Sequence, residues 1–193
     1  MKAFIVGALA VTLAVAPAAA QTPGYDVRIG AGLSYSGLGD LPAGYTEKSS
    51  DLGWFIGGDV TIGKLFFVRP GAWYQYQSFN LQTTTVDDGI GTSSVMIPLQ
   101  VGLDFDLKLV GLSLGAGPSV AFAGSVSEDN GFGVTKDDIN TTRWGGIASA
   151  DVKVLFIGFR VDYQTDFTNY FNETSGAGDS KLSQWRISLG VEF

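Results

Sequence analysis

The chain of 193 residues contains no cysteine and no histidine. Without cysteine there is neither a disulfide framework nor a lipid-bearing thiol behind a leader. Without histidine the commonest general base near neutral pH is missing, so a serine or aspartate nucleophile would need some other base. Metal sites built on His or Cys are excluded as well, and oxygen ligands alone remain. Basic residues are scarce: 12 Lys and Arg stand against 19 Asp and Glu, a net charge of −7. That balance argues against nucleic acid, whose phosphates call for a basic patch. Past the first twenty residues, no apolar run approaches the roughly 18 residues that a spanning helix needs. If this protein lives in a membrane, strands must carry it there.

The N-terminus reads as a leader. Lys2 supplies positive charge, Ala3 to Val15 is a short apolar run, and Ala18-Ala19-Ala20 is a small-residue cleavage site. The expected organisation is a cleaved signal peptide over residues 1–20 and one domain over residues 21–193.

What the rest of the chain has is alternation. In the C-terminal stretch Trp185, Ile187, Leu189, Val191 and Phe193 are apolar, and Arg186, Ser188, Gly190 and Glu192 lie between them. That is a strand with one apolar and one polar face. Seven earlier stretches repeat the pattern, with apolar faces over residues 25–35, 54–62, 66–76, 95–105, 112–122, 144–154 and 157–167. Short connections (Gly63-Lys64-Leu65, the segment from Leu107 to Gly111, and Leu155-Phe156) alternate with long polar ones over residues 36–51, 79–94, 124–142 and 168–181. Short turns at one end and long loops at the other mark an all-β fold: an eight-stranded antiparallel up-and-down transmembrane β-barrel. An even strand count lets the first and last strands pair and abolish the edge. A soluble sandwich or a lipocalin-like carrier is the competing reading, with the same apolar faces turned inward.

Aromatic placement favours the membrane. Tyr35, Trp54, Tyr76, Phe122, Trp144, Phe167 and Trp185 sort to the loop end, and Tyr25, Phe66, Phe105 and Phe193 to the turn end. Two aromatic girdles are expected where lipid meets water. Pro70, Pro98 and Pro118 fall inside strands, where each should mark a bulge or an unpaired acceptor.

Eight strands enclose an interior that side chains can fill, so no open pore is expected. The inward charges are of both signs. The short turns set Asp59 opposite Arg69 and Asp151 opposite Arg160, and pairing of first and last strands brings Glu192 near Arg28. These are expected lumen ion pairs, since a stranded buried charge is costly. Acidic turns at Asp87-Asp88-Gly89, Glu128-Asp129-Asn130-Gly131 and Lys136-Asp137-Asp138 read as solvated loop tips, with divalent-ion bridging to lipopolysaccharide as the alternative. No cofactor is expected.

These features together resemble the small eight-stranded outer-membrane barrels of Gram-negative bacteria. The segments Val68-Arg69-Pro70-Gly71-Ala72-Trp73-Tyr74, Met96-Ile97-Pro98-Leu99-Gln100-Val101-Gly102 and Leu114-Gly115-Ala116-Gly117-Pro118-Ser119 resemble strands of one branch, the PorT-like outer-membrane β-barrel domain. The resemblance implies outer-membrane location, with lipid and lipopolysaccharide as surroundings. It implies that Leu189, Val191 and Phe193 form the terminal signal read by the barrel-assembly machinery. It also implies a non-enzymatic role, because the barrel enzymes of this class all use a histidine. Surface interaction through the long loops is the expected function. Alternatives are an accessory part of a secretion or envelope-assembly machine, with an envelope protein as partner, and a narrow solute channel.

Overall fold

A computed structural model describes residues 24–39, 41, 46–50, 52–82, 87–107, 109–127, 132–172 and 179–193. The expected leader over residues 1–20 and the acidic turn Glu128–Gly131 lie outside the described residues.

Among the described residues nine strands follow one another: β1 (Tyr25–Gly39), β2 (Thr46–Ser50), β3 (Leu52–Gly63), β4 (Phe66–Gln82), β5 (Asp87–Asp106), β6 (Val110–Val126), β7 (Thr142–Val154), β8 (Ile157–Asp166) and β9 (Lys181–Glu192). Eight of them close a wall in which each pairs antiparallel with its neighbours, β4 with β5 and β1 with β9 included. β2 was not foreseen. It occupies the same edge of β4 as β3 but higher, pairing Thr46 with Gln82 and Ser50 with Phe79 across a bulge. The seam between first and last strands runs from Arg28↔Glu192 to Gly39↔Lys181. Val27 and Phe193 exchange backbone hydrogen bonds of 3.1 and 2.9 Å beyond it.

The registers fix the stagger. From Tyr25 the partners run Ile62, Val68, Val101, Ala116, Ala148, Tyr163, Trp185 and back to β1 at Tyr35, ten residues further along. A shear of that size on eight strands tilts them by about 40°. No helix among the described residues is long and apolar enough to cross a membrane.

The strands outrun the expected limits at the loop end. β4 and β5 form a hairpin paired up to Gln82↔Asp87, so most of the expected loop over residues 79–94, with Asp87-Asp88-Gly89, is sheet. The reason is a reversal of polarity. Up to Gln77, β4 turns Phe66, Val68 and Tyr74 outward and Arg69, Gln75 and Gln77 inward. Above it, Phe79 and Leu81 are buried inside and Ser78, Asn80 and Gln82 take the outer positions. The pleat continues unchanged, but the medium outside has become water, so the apolar residues change sides.

The prolines make no bulge. Among the described residues two rungs are missing at each proline: Val60↔Pro70 with Thr61↔Arg69, Gly71↔Pro98 with Ala72↔Ile97, and Leu99↔Pro118 with Gln100↔Gly117, while the register on either side of each gap is the same. Each proline lacks a ladder donor on one side only; Pro70 still pairs with Leu99, Pro98 with Ser119 and Pro118 with Gly146. Inward rings need glycine opposite them: a Cβ on Gly102 would lie 2.5 Å from Phe67 Cζ and 2.1 Å from the Leu114 carbonyl oxygen.

The seam register is directly testable, since the native chain has no thiol. Ala31→Cys with Leu189→Cys, partners across β1 and β9, should be joined by a short bifunctional thiol reagent within one chain. Ala31→Cys with Trp185→Cys, some four residues out of register and roughly 13 Å apart along the strand, should not. Equal linkage of the two pairs on gels would contradict the closed seam.

Candidate functional site: the sealed lumen

Inward side chains fill the barrel in layers. At the turn end a small cavity of about 50 Å³ opens between Asp26, Asp104, Glu192, Lys153, Arg69 and Ser113. Lys153 Nζ meets Glu192 Oε2 at 3.3 Å there.

Above it sits the main ionic cluster. Arg28 Nη1 donates to Asp151 Oδ1 at 2.8 Å, and Arg69 Nη1 donates to Asp151 Oδ2 at 2.9 Å. Arg160 Nε donates to Asp151 as well, and its Nη1 donates to Asp59 Oδ2 at 2.6 Å. Arg69 lies 3.7 Å from Asp59 and donates through Nε to Thr61 Oγ1 at 2.9 Å. Ser113 Oγ donates to Asp151 at 3.1 Å, and Ser188 Oγ accepts from Arg28 at 3.0 Å. One carboxylate thus receives three guanidiniums and a hydroxyl, and the whole cluster is buried. Its members come from β1, β3, β4, β6, β7, β8 and β9. On β5, Gln100 is also buried and accepts from Ser149 Oγ of β7 at 3.2 Å.

Of the expected pairs, Asp59 with Arg69 and Asp151 with Arg160 are in ion-pair contact. Arg28 and Glu192 stand opposite one another across the seam, but their ion pairs run elsewhere. Asp151 lies deeper, where three guanidiniums converge, and takes Arg28. Glu192 lies at the mouth and is taken by Lys153.

The next layer is apolar: Phe55, Trp73, Met96, Ala121 and Ile147 are buried together. Arg186 crosses it, its guanidinium carbon 3.9 Å from the Phe55 ring centroid and 5.5 Å from that of Trp73. Such cation–π contacts strengthen away from water. Its ion pair with Asp162 is long, at 4.0 Å.

Glutamines follow. Gln77 Nε2 donates to Gln184 Oε1 at 2.6 Å, Gln184 Nε2 donates to Gln75 Oε1 at 3.2 Å, and Gln75 Nε2 donates to Ser94 Oγ at 3.0 Å. Arg143 Nε pairs with Asp166 Oδ2 at 2.9 Å and stacks its guanidinium 4.5 Å from the Tyr170 ring.

Tyr170 begins the apolar plug at the loop end. Leu38, Phe79, Leu81, Ile90, Ile139, Tyr170, Phe171 and Leu182 are all buried there. Two connections fold inward to make it. Ile139 bridges Phe171, Asn140 N–H donates to the Tyr170 carbonyl at 3.0 Å, and Asn140 Nδ2 donates to the Asn169 carbonyl at 2.7 Å. The Tyr170 hydroxyl lies 2.6 Å from Thr92 Oγ1, and burial pushes its pKa up, so the phenol stays neutral. Lys136–Asp138, expected as a loop tip, is a 3₁₀ turn supporting this plug. Hydrogen bonds from the Thr135 N–H and hydroxyl hold the Asp138 carboxyl below its usual pKa.

Outside, the pattern inverts. Tyr35, Trp54, Trp144 and Trp185 are exposed on the outer face at the loop end, with Tyr76 stacked 6.3 Å from Trp54. Tyr25, Phe66 and Phe105 are exposed at the turn end, and Leu33, Leu99, Leu114, Ile187 and Leu189 between the two levels. A wall apolar outside and charged inside is the reverse of a soluble domain.

A wall of this kind, closed on itself and sealed within, defines an integral membrane β-barrel. The model of the outer membrane protein beta-barrel domain matches residues 6–193. The chain belongs to that family and resides in the bacterial outer membrane, in contact with its lipid. No curated protein matches the sequence. Among solved structures, Neisserial surface protein A is similar at 15% identity and TM-score 0.48, over 88% of this chain and 97% of that one. The attachment invasion locus protein Ail of Yersinia pestis, in complex with the heparin analogue sucrose octasulfate, is similar at 14% identity and TM-score 0.43, over 88% and 99%. The N-terminal barrel of Pseudomonas aeruginosa OprF is similar at 11% identity and TM-score 0.36, over 87% and 97%.

The hub carboxylate should matter most to stability. Asp151→Asn leaves three buried guanidiniums undercompensated and should lower unfolding stability in vesicles by about 3–5 kcal/mol. Glu192→Gln, at the wetter mouth, should cost less than about 1 kcal/mol. Urea titrations of both refolded variants check the order, and equal losses would contradict the hub.

Proposed function

We propose that the protein is a non-enzymatic, non-conducting barrel whose outer rim is an interaction surface. The observation that carries this reading is the filled lumen. Ionic cluster, aromatic layer, glutamine layer and apolar plug follow one another with the largest side chains almost fully buried. A solute would have to displace all four. The missing histidine supports the non-enzymatic reading.

The rim offers ordered structure to a partner. β4 runs six residues past Tyr76 to Gln82, about 20 Å along the strand at 3.3 Å per residue and about 15 Å in height at a tilt of about 40°, with β5 paired to it throughout. β2 widens that sheet. Extended sheet standing clear of the membrane, with polar residues on its outer positions, suits recognition of surface molecules or of lipopolysaccharide.

We assign Leu189, Val191 and Phe193 as the signal read by the barrel-assembly machinery. All three are exposed on the outer face of the last strand. The lumen clusters and outer aromatics serve as internal lock and lipid–water anchors. The alternative role, an accessory part of a secretion or envelope-assembly machine, draws on the PorT-like segments around Pro70, Pro98 and Pro118.

Planar bilayers test the reading. The refolded protein should give no steady single-channel steps under applied voltage. Reproducible unit conductance would overturn the sealed lumen and favour the channel.

A further inference from the structure

Each of the three short turns carries an apolar tip. Leu65 is 52% exposed, Leu107 64%, Leu109 65%, Leu155 60% and Phe156 58%. Turns that face water ordinarily use Gly, Pro, Asn, Asp or Ser. The choice at Leu155 is the more telling because its φ is +57°. Glycine adopts that left-handed conformation at least cost, and a two-residue hairpin turn with only its first residue left-handed ordinarily takes glycine there. Here Leu-Phe occupies the turn instead. Strain of this kind persists where the side chain is used.

The tips are held on a fixed frame. Leu155 N–H donates to the Leu109 carbonyl at 3.1 Å, Glu192 N–H to the Phe156 carbonyl at 2.9 Å, and Asp104 N–H to the Leu65 carbonyl at 2.9 Å. They also continue the lipid-facing belt without a break, through Phe66, Phe105, Val154 and Ile157. Ten residues separate Tyr76 from Phe66 on β4. At about 3.3 Å per residue and a tilt of about 40°, that covers about 25 Å, the full height of a barrel's apolar band. The tips therefore stand one to a few residues past the lower edge of the band, at headgroup depth.

We propose that Leu65, Leu107, Leu109, Leu155 and Phe156 form a collar that inserts into the headgroup–acyl boundary of the periplasmic leaflet. The partner is a lipid surface. The exposed Lys64, in the first of these turns, lays its stem along that boundary and sets its ammonium among the phosphates. The short turns are membrane anchors rather than periplasmic docking loops.

Single nitroxides test this, since no native thiol interferes. Leu107→Cys and Leu155→Cys carry labels at the tips, Leu114→Cys in the middle of the belt, and Lys136→Cys in an exposed loop. In dilauroylphosphatidylcholine vesicles, the ratio of oxygen to nickel-chelate collisions at the tips should fall between those of the belt and loop labels, several-fold above the loop. A tip ratio equal to that of the Lys136→Cys label would overturn the collar. A second variant separates lipid from turn chemistry. Leu155→Gly with Phe156→Asn would stabilise this turn in water; in the collar it should lower the urea midpoint in vesicles below that of the parent. A raised midpoint would overturn the proposal.

Discussion

A bilayer core offers backbone groups no water to bond with, and every other feature of this molecule follows from that constraint. Each N–H and C=O in the wall must find a partner on the next strand, so the sheet has to close. Closure rests on the seam between β1 and β9, carried to the last residue by the mutual hydrogen bonds of Val27 and Phe193. The three prolines mark the limit of what the wall tolerates. Pro70, Pro98 and Pro118 sit on adjacent strands around Leu99, and each interrupts the ladder on one side while the register holds.

Closure turns the pattern of a soluble protein inside out. Apolar side chains go to lipid, and the polar ones are confined to a lumen without bulk water. Charges enclosed there must neutralise one another. Asp151 and Asp59 answer Arg28, Arg69 and Arg160, and through them most of the wall strands are tied across the lumen. Arg186 finds aromatic faces and Arg143 a carboxylate and a tyrosine ring. At the loop end, where water returns outside, the barrel reverts to soluble logic and gathers Phe79, Ile139, Tyr170 and Leu182 into an ordinary core. That core closes the outer mouth.

Much of this was legible from alternation alone: the wall strands, the two aromatic levels and the contacts Asp59–Arg69 and Asp151–Arg160. A short turn determines which residues face each other across it, so those pairs follow from counting. Arg28 and Glu192 do face each other across the seam, but facing does not settle which of several nearby charges each one pairs with. The outward extension of β4 and β5 was missed for a related reason. Phe79 and Leu81 fall out of phase with Phe66 and Tyr74 only because the surrounding medium changes near Tyr76, and a pattern read for one medium ends there. The plug was hidden for another reason: Ile139, Tyr170 and Phe171 lie in connections with no periodicity, and only tertiary contact brings them together.

The most direct test of the closed, internally locked barrel is gel migration of the mature protein from outer-membrane fractions, unheated and after boiling in detergent. A wall closed by the β1–β9 seam and tied across its lumen should resist detergent, run faster unheated, and shift on boiling. Identical migration, with the protein recovered in the soluble periplasmic fraction, would contradict the account. The apolar faces would then have to line a soluble core.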